Sequence, residues 1–99
     1  MKINFDTELL DLDGKAIKAQ DKKALTLKKA CVDAALAMTD SDKGMDGIKK
    51  FEMYELAMKL NKGGEISLKA EDIALLKKRI GMVYLPLIVG RCYELLEKQ

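Results

Sequence analysis

Side chains able to do chemistry are few in this chain, and their spacing is poor for most of it. Asp40, Asp42 and Asp46 stand at the first, third and seventh places of a calcium-type loop. That loop needs glycine at its sixth place and a bidentate glutamate at its twelfth, and the chain has Met45 and Phe51 there. Asp11-Leu12-Asp13-Gly14 fails the same test, so both read as turns. Histidine is absent, which removes the commonest general base and the commonest metal ligand. Ser41 falls in a turn and Ser67 just before a helix, and neither has a base to activate it. Cys31 and Cys92 form no C-x-x-C pair and sit inside helical patterns, where a small apolar thiol in a reducing cytosol is the expected reading. No glycine-rich phosphate loop occurs. The expectation is a non-enzyme with no catalytic residue, no cofactor and no metal.

Two binding constellations remain. Between residues 15 and 29, Lys15, Lys18, Lys22, Lys23, Lys28 and Lys29 face a single acid, Asp21. Such a patch suits phosphate backbones. The window has no aromatic residue for base stacking, and 16 of the 18 basic residues are lysine, whereas nucleic-acid readers favour the arginine fork. Nucleic-acid binding is therefore the alternative reading.

The other constellation is apolar. Ile80 to Gly90 runs without a charge in a chain that is 34% charged, bounded by Arg79 and Arg91. It is far short of the ~20 residues a membrane helix needs. It is either core or a surface offered to a partner, and Met82, Tyr84, Leu85, Leu87, Val89 and Tyr93 are its candidate contact residues. The partner would be another protein or a second copy of the chain, with no membrane involved.

The elements that position these residues follow from periodicity. Ninety-nine residues, 48% hydrophobic and with a net charge of +2, suit one compact soluble domain, residues 1–99, whose core is mostly aliphatic. Leu9–Leu12 and Lys15–Lys18 flank Asp13-Gly14, which predicts a small N-terminal β-hairpin with a type I′ turn. Ala19–Ala24 reads as an exposed loop. Leu27, Ala30, Cys31, Ala34, Ala35 and Met38 fall on one helical stripe, predicting a helix over 27–38 capped by Thr26. A polar turn follows at Thr39–Gly44.

A second helix is predicted over 45–60. Met53, Leu56, Ala57 and Leu60 form one stripe, and Ile48, Phe51, Tyr54 and Met58 widen it, so this helix is expected to be covered on two sides. Leu25-Thr26-Leu27-Lys28 recurs as Ile66-Ser67-Leu68-Lys69. That suggests Ser67 as a second cap, and two short extended segments that pair through Leu25 and Ile66. A third helix spans about 69–84, with Lys77, Lys78 and Arg79 in a charged middle. Pro86 then stops or kinks the chain and opens a fourth helix to Glu97. No polar turn residue lies between them, so a full reversal is not expected. The fold class is mainly α, a compact four-helix domain with a small N-terminal β-hairpin and a Pro-kinked C-terminal helix pair.

The stretches Leu9–Ile17, Leu25–Val32, Leu68–Gly81 and Pro86–Arg91 together resemble small uncharacterised proteins of tailed bacteriophages and prophages. That resemblance implies a bacterial cytoplasmic setting and a viral gene product, and brings no functional residues with it. The expected function is protein–protein contact, with a host factor or a phage assembly component as the partner.

Overall fold

The computed structural model describes residues 2–19, 22–38 and 42–97. Its elements run β1 (Lys2–Asn4), α1 (Leu27–Leu36), α2 (Gly47–Leu60), β2 (Glu65–Ser67), α3 (Ala70–Val83) and α4 (Pro86–Glu97). The fold is mainly α, with four helices and a small hairpin where the Asp-Gly signal falls. Helix α1 is the hub and packs against the other three. Its Ala30, Ala34 and Ala35 are buried and let those neighbours come close. One apolar cluster joins Phe5, Leu9, Leu27, Leu60, Leu76, Ile80 and Leu96 from every part of the chain. No helix among the described residues is long and apolar enough to cross a membrane.

The start of α1 shows why the N-terminus belongs to the core. The first N–H groups of any helix lack intrahelical partners. Here the Leu27 N–H donates to the Thr7 carbonyl (2.9 Å) and the Lys28 N–H to the Phe5 carbonyl (2.8 Å). The Lys29 N–H donates to the Thr26 hydroxyl (3.2 Å), so the predicted cap is in place. On its other side the same N-terminal segment pairs antiparallel with β2, in the register Lys2–Ser67, Ile3–Ile66 and Asn4–Glu65. Ile66 and Leu25 do lie on extended segments, but not on each other. Ser67 caps nothing: it lies in β2, and α3 begins at Ala70, where the Asp72 carboxylate accepts from the Lys69 N–H at 3.4 Å. The hydroxyl pattern was right in one copy only, because pairing with β1 keeps the second extended past Ser67.

The hairpin turn differs from the expected type I′ form. The Asp11 N–H donates to the Lys15 carbonyl and the Gly14 N–H to the Asp11 carbonyl, and Gly14 alone takes a left-handed φ of 84°. This is a three-residue loop closed by a left-handed residue, held by the Asp11 carboxylate, which accepts from the Asp13 and Lys15 N–H groups. Eight residues later the same pair of main-chain bonds recurs between described residues. The Ala19 N–H donates to the Lys23 carbonyl, the Lys22 N–H to the Ala19 carbonyl, and Lys22 has φ 65°. Of the expected exposed loop over 19–24, Lys22 and Lys23 are exposed, and Gln20 and Asp21 lie outside the described residues. Together the two connections bring Leu9, Ile17 and Leu25 into a closed ring of main-chain bonds: Ile17 N–H to Leu9 carbonyl (2.9 Å), Leu25 N–H to Ile17 carbonyl (2.7 Å), and Leu9 N–H to Leu25 carbonyl (2.8 Å). Each segment has a neighbour on both sides, so the ring has no open edge.

Further corrections concern the helices. Helix α1 ends at Leu36, and Met38 is exposed rather than part of its buried stripe. Thr39, Asp40 and Ser41 lie outside the described residues. Arg79, in the charged middle of α3, is buried. Helix α2 buries Met53, Leu56, Ala57 and Leu60 as predicted, yet Ile48, Phe51, Tyr54 and Met58 face outward, so it is covered on one side only. Between α3 and α4 the chain does double back. Tyr93 on α4 reaches the Lys77 carbonyl on α3 at 2.6 Å, and Lys77 pairs with Glu97 at 2.7 Å. Tyr84 and Leu85 suffice for the connection because Pro86 presets the first helical φ. The Gly81 position, where a Cβ would lie 2.9 Å from the Tyr93 hydroxyl, lets the two helices close.

Candidate interaction surface

The uncharged run is only half absorbed by the core. Ile80 is fully buried. Tyr84, Ile88, Val89 and Tyr93 lean on the core cluster. Met82, Val83, Leu85 and Leu87 are exposed around the α3–α4 corner, with Leu85 77% exposed at its tip. The six candidate contact residues therefore divide. Met82, Leu85 and Leu87 form an outward apolar corner. Tyr84, Val89 and Tyr93 brace it: the Tyr84 hydroxyl donates to the Ala30 carbonyl of α1 at 3.3 Å, and the Lys77 ammonium lies 5.6 Å above the Tyr93 ring. Neither tyrosine hydroxyl points outward as an anchor.

The lysine patch is divided as well. Lys15, Lys18, Lys22, Lys23 and Lys29 are exposed. Lys29 is paired with Asp33 one turn on, at 3.3 Å. The stem of Lys28 lies over Gly63, beside the Asp6 carboxylate. Lys18 and Lys29 line one cleft of ≈ 480 Å³ with Asp33, Tyr84 and Ile88. Of the six lysines, the geometry gathers only these two at one concavity, and a carboxylate joins them there.

Both arginines are committed to main chain. Arg79 donates to the Ala34 carbonyl at 3.2 Å and to the Ala37 carbonyl, and its guanidinium lies 2.6 Å from the Asp42 carboxylate, with both side chains buried. Helix α1 has no basic residue in its last turn and ends at Ala37 in an extended conformation, so its terminal carbonyls need a donor from elsewhere. Arg79 supplies it and complements the negative end of the helix dipole. Arg91 donates to the Leu10 carbonyl at 2.8 Å and the Asp11 carbonyl at 3.0 Å, tying α4 to the first turn of the ring.

In comparisons with known proteins, no family model, no curated protein and no solved structure matches this chain. The site is therefore read from its own chemistry. Burial, with the neighbouring Cys92 adding to it, pushes the Cys31 thiol far up, and burial pushes Cys92 up to about 12. Burial, then Asp33 and the two thiols, raise Tyr84 to about 12. At neutral pH all three keep their protons, so none of them is a nucleophile or base there. No group of three or more potential metal ligands occurs among the described residues.

The surface missed by sequence reading is the outer face of α2. Ile48, Phe51, Tyr54 and Met58 are 74%, 56%, 50% and 54% exposed, and the Phe51 and Tyr54 rings stack at 6.1 Å. Periodicity alone flagged these residues but placed them inside, since a second apolar stripe looks the same whether the fold or a partner covers it.

Proposed function

We propose that this chain is a small non-catalytic protein that works by burying its α3–α4 corner against another protein, a host factor or a phage assembly component in the bacterial cytoplasm. The observation that carries this reading is the division of residues 80–90: an apolar tip exposed at Leu85 and flanked by Met82 and Leu87, on a backbone fixed by Pro86 and braced from behind by Tyr84 and Tyr93. Exposed contiguous apolar groups on a rigid support are the usual mark of a contact site. A rigid corner also loses little conformational freedom on docking, so more of the burial energy appears as affinity.

The test is capture from bacterial lysate with the wild-type chain and with Leu85→Glu/Leu87→Glu. The expected result is a discrete protein retained by the first and lost by the second, with unchanged helical circular dichroism. Equal capture by both, or none by the wild type, overturns the reading.

A further inference from the structure

We propose that the outer face of α2 is a self-association surface, on which a second copy of this chain lays its own α2 parallel to the first. This surface is separate from the α3–α4 corner, and its argument rests on different residues.

Phe51, Tyr54 and Met58 are spaced i, i+3, i+7 along α2, the spacing of a heptad seam, and all three point away from the buried stripe of Met53, Leu56, Ala57 and Leu60. With Phe51 and Met58 at the first seam position and Tyr54 at the second, the flanking places are Lys50 on one side and Glu55 on the other. In a parallel helix pair, each flanking residue on one side meets the residue five places on along the partner's opposite side. Lys50 of one copy therefore meets Glu55 of the other, twice by symmetry. An antiparallel pair sets like flanks together, lysine side against lysine side and glutamate side against glutamate side, which is repulsive. The charge pattern thus favours the parallel direction, the one in which both ion pairs form.

The apolar pattern agrees. On the Lys50 side of α2, the exposed Leu36 and Met38 share a groove with Met45 and Lys50. On the Glu55 side stands Ile48, the most exposed apolar residue of the helix. A parallel two-fold brings the Ile48 flank of each copy against the Leu36–Met38 flank of the other. Every large exposed apolar side chain of this region is then covered by the same operation, which is the self-complementarity that a two-fold interface requires. These six side chains offer on the order of 600 Å² per copy, which reaches the ~1,000 Å² total at which specific interfaces begin. Methionine at two of the six contact positions, Met38 and Met58, gives the seam room to adjust.

The experiment is sedimentation equilibrium of the full chain over a concentration series, with charge-swap variants and a directional cross-link. The wild type is expected to dimerise, and Phe51→Glu to be monomeric with an unchanged thermal melt at low concentration. Lys50→Glu and Glu55→Lys should each raise the dimer dissociation constant about tenfold, and the two together should restore it. Phe51→Cys and, separately, Met58→Cys should each form an intermolecular disulfide under mild oxidation, because in the parallel arrangement both residues face their own copies, whereas one antiparallel register cannot place both so; Cys31 and Cys92 are buried and do not compete. A wild type that stays monomeric up to about 0.5 mM, well above the micromolar range of weak specific pairs, overturns the proposal. So does a dimer that survives Phe51→Glu, a double swap that fails to recover, or the absence of either cross-link. None of these results bears on lysate capture through Leu85 and Leu87, so either reading can fail alone.

Discussion

Arg79 is the residue on which the α1–α3 contact turns. Its guanidinium satisfies two carbonyls at the end of α1 and a buried carboxylate. Removing it takes away the buried donor that the Asp42 carboxylate and both carbonyls share, and that loss, rather than the intrinsic strength of the pair, sets the cost. Arg79→Leu is expected to destabilise the fold by about 3–5 kcal/mol in denaturant titration. Asp42→Asn/Arg79→Leu should lose less than the two single costs combined, because both changes break the same contact. The buried thiols make a second prediction at this scale. A thiol whose proton is held more tightly in the folded state stabilises the fold fully below its ordinary value of 9.0. That contribution is lost as pH rises toward the folded values, by at most about 1.4 kcal/mol per thiol per pH unit. Thermal melts should therefore fall steadily from pH 8 to 10, and less steeply for Cys31→Ala/Cys92→Ala. Counting residues made the scarcity of arginine plain, but not that each guanidinium is engaged by carbonyls 42 to 81 positions away.

Among the elements, the ring of Leu9, Ile17 and Leu25 carries the clearest local rule. Its two connections are eight residues apart and close with the same pair of main-chain bonds, yet one has Gly14 and the other Lys22 at the left-handed position. A side chain there costs about 1–2 kcal/mol. No atom lies within 4 Å of the place where a Gly14 Cβ would go, so Gly14→Ala tests the backbone cost alone. It should lose about 1 kcal/mol or more, whereas Lys22→Gly should gain up to about 1 kcal/mol, less what glycine's extra unfolded-state freedom takes back. Both are read from midpoints in urea. The period was present in the sequence as Leu9, Ile17, Leu25 with Lys15-Ala16 and Lys23-Ala24 between them. A period of eight matches neither the helical nor the strand period, and the Asp-Gly signal marks only the first of the two connections. Helix starts and stops were more legible. Thr26 and Pro86 act through neighbours a few residues away, and both fall at or beside the element ends.

Across the whole molecule, the N-terminal segment is a clamp. Phe5 is fully buried, its carbonyl accepts from Lys28 at the head of α1, and its N–H donates to the Gly64 carbonyl beside β2. Phe5→Ala is expected to cost about 3–5 kcal/mol and to loosen β1 and the start of α1 together. Hydrogen exchange at Lys28 and at Ile66 should rise in parallel if the clamp is one cooperative unit, and independently if it is not. The sequence by itself determined the class of fold, the four helical segments, the place of the first turn, the inner stripe of α2 and that of α1 apart from Met38, because those depend on spacing within one or two turns of chain. Only the tertiary structure decided that β1 pairs with β2 and not with its neighbour, that α4 folds back on α3, and that the second stripe of α2 lies outside. Those outcomes depend on which surfaces the rest of the chain is large enough to cover. With 99 residues and an alanine-lined hub, it covers one face of α2 and half of the apolar run, and leaves the remainder facing outward.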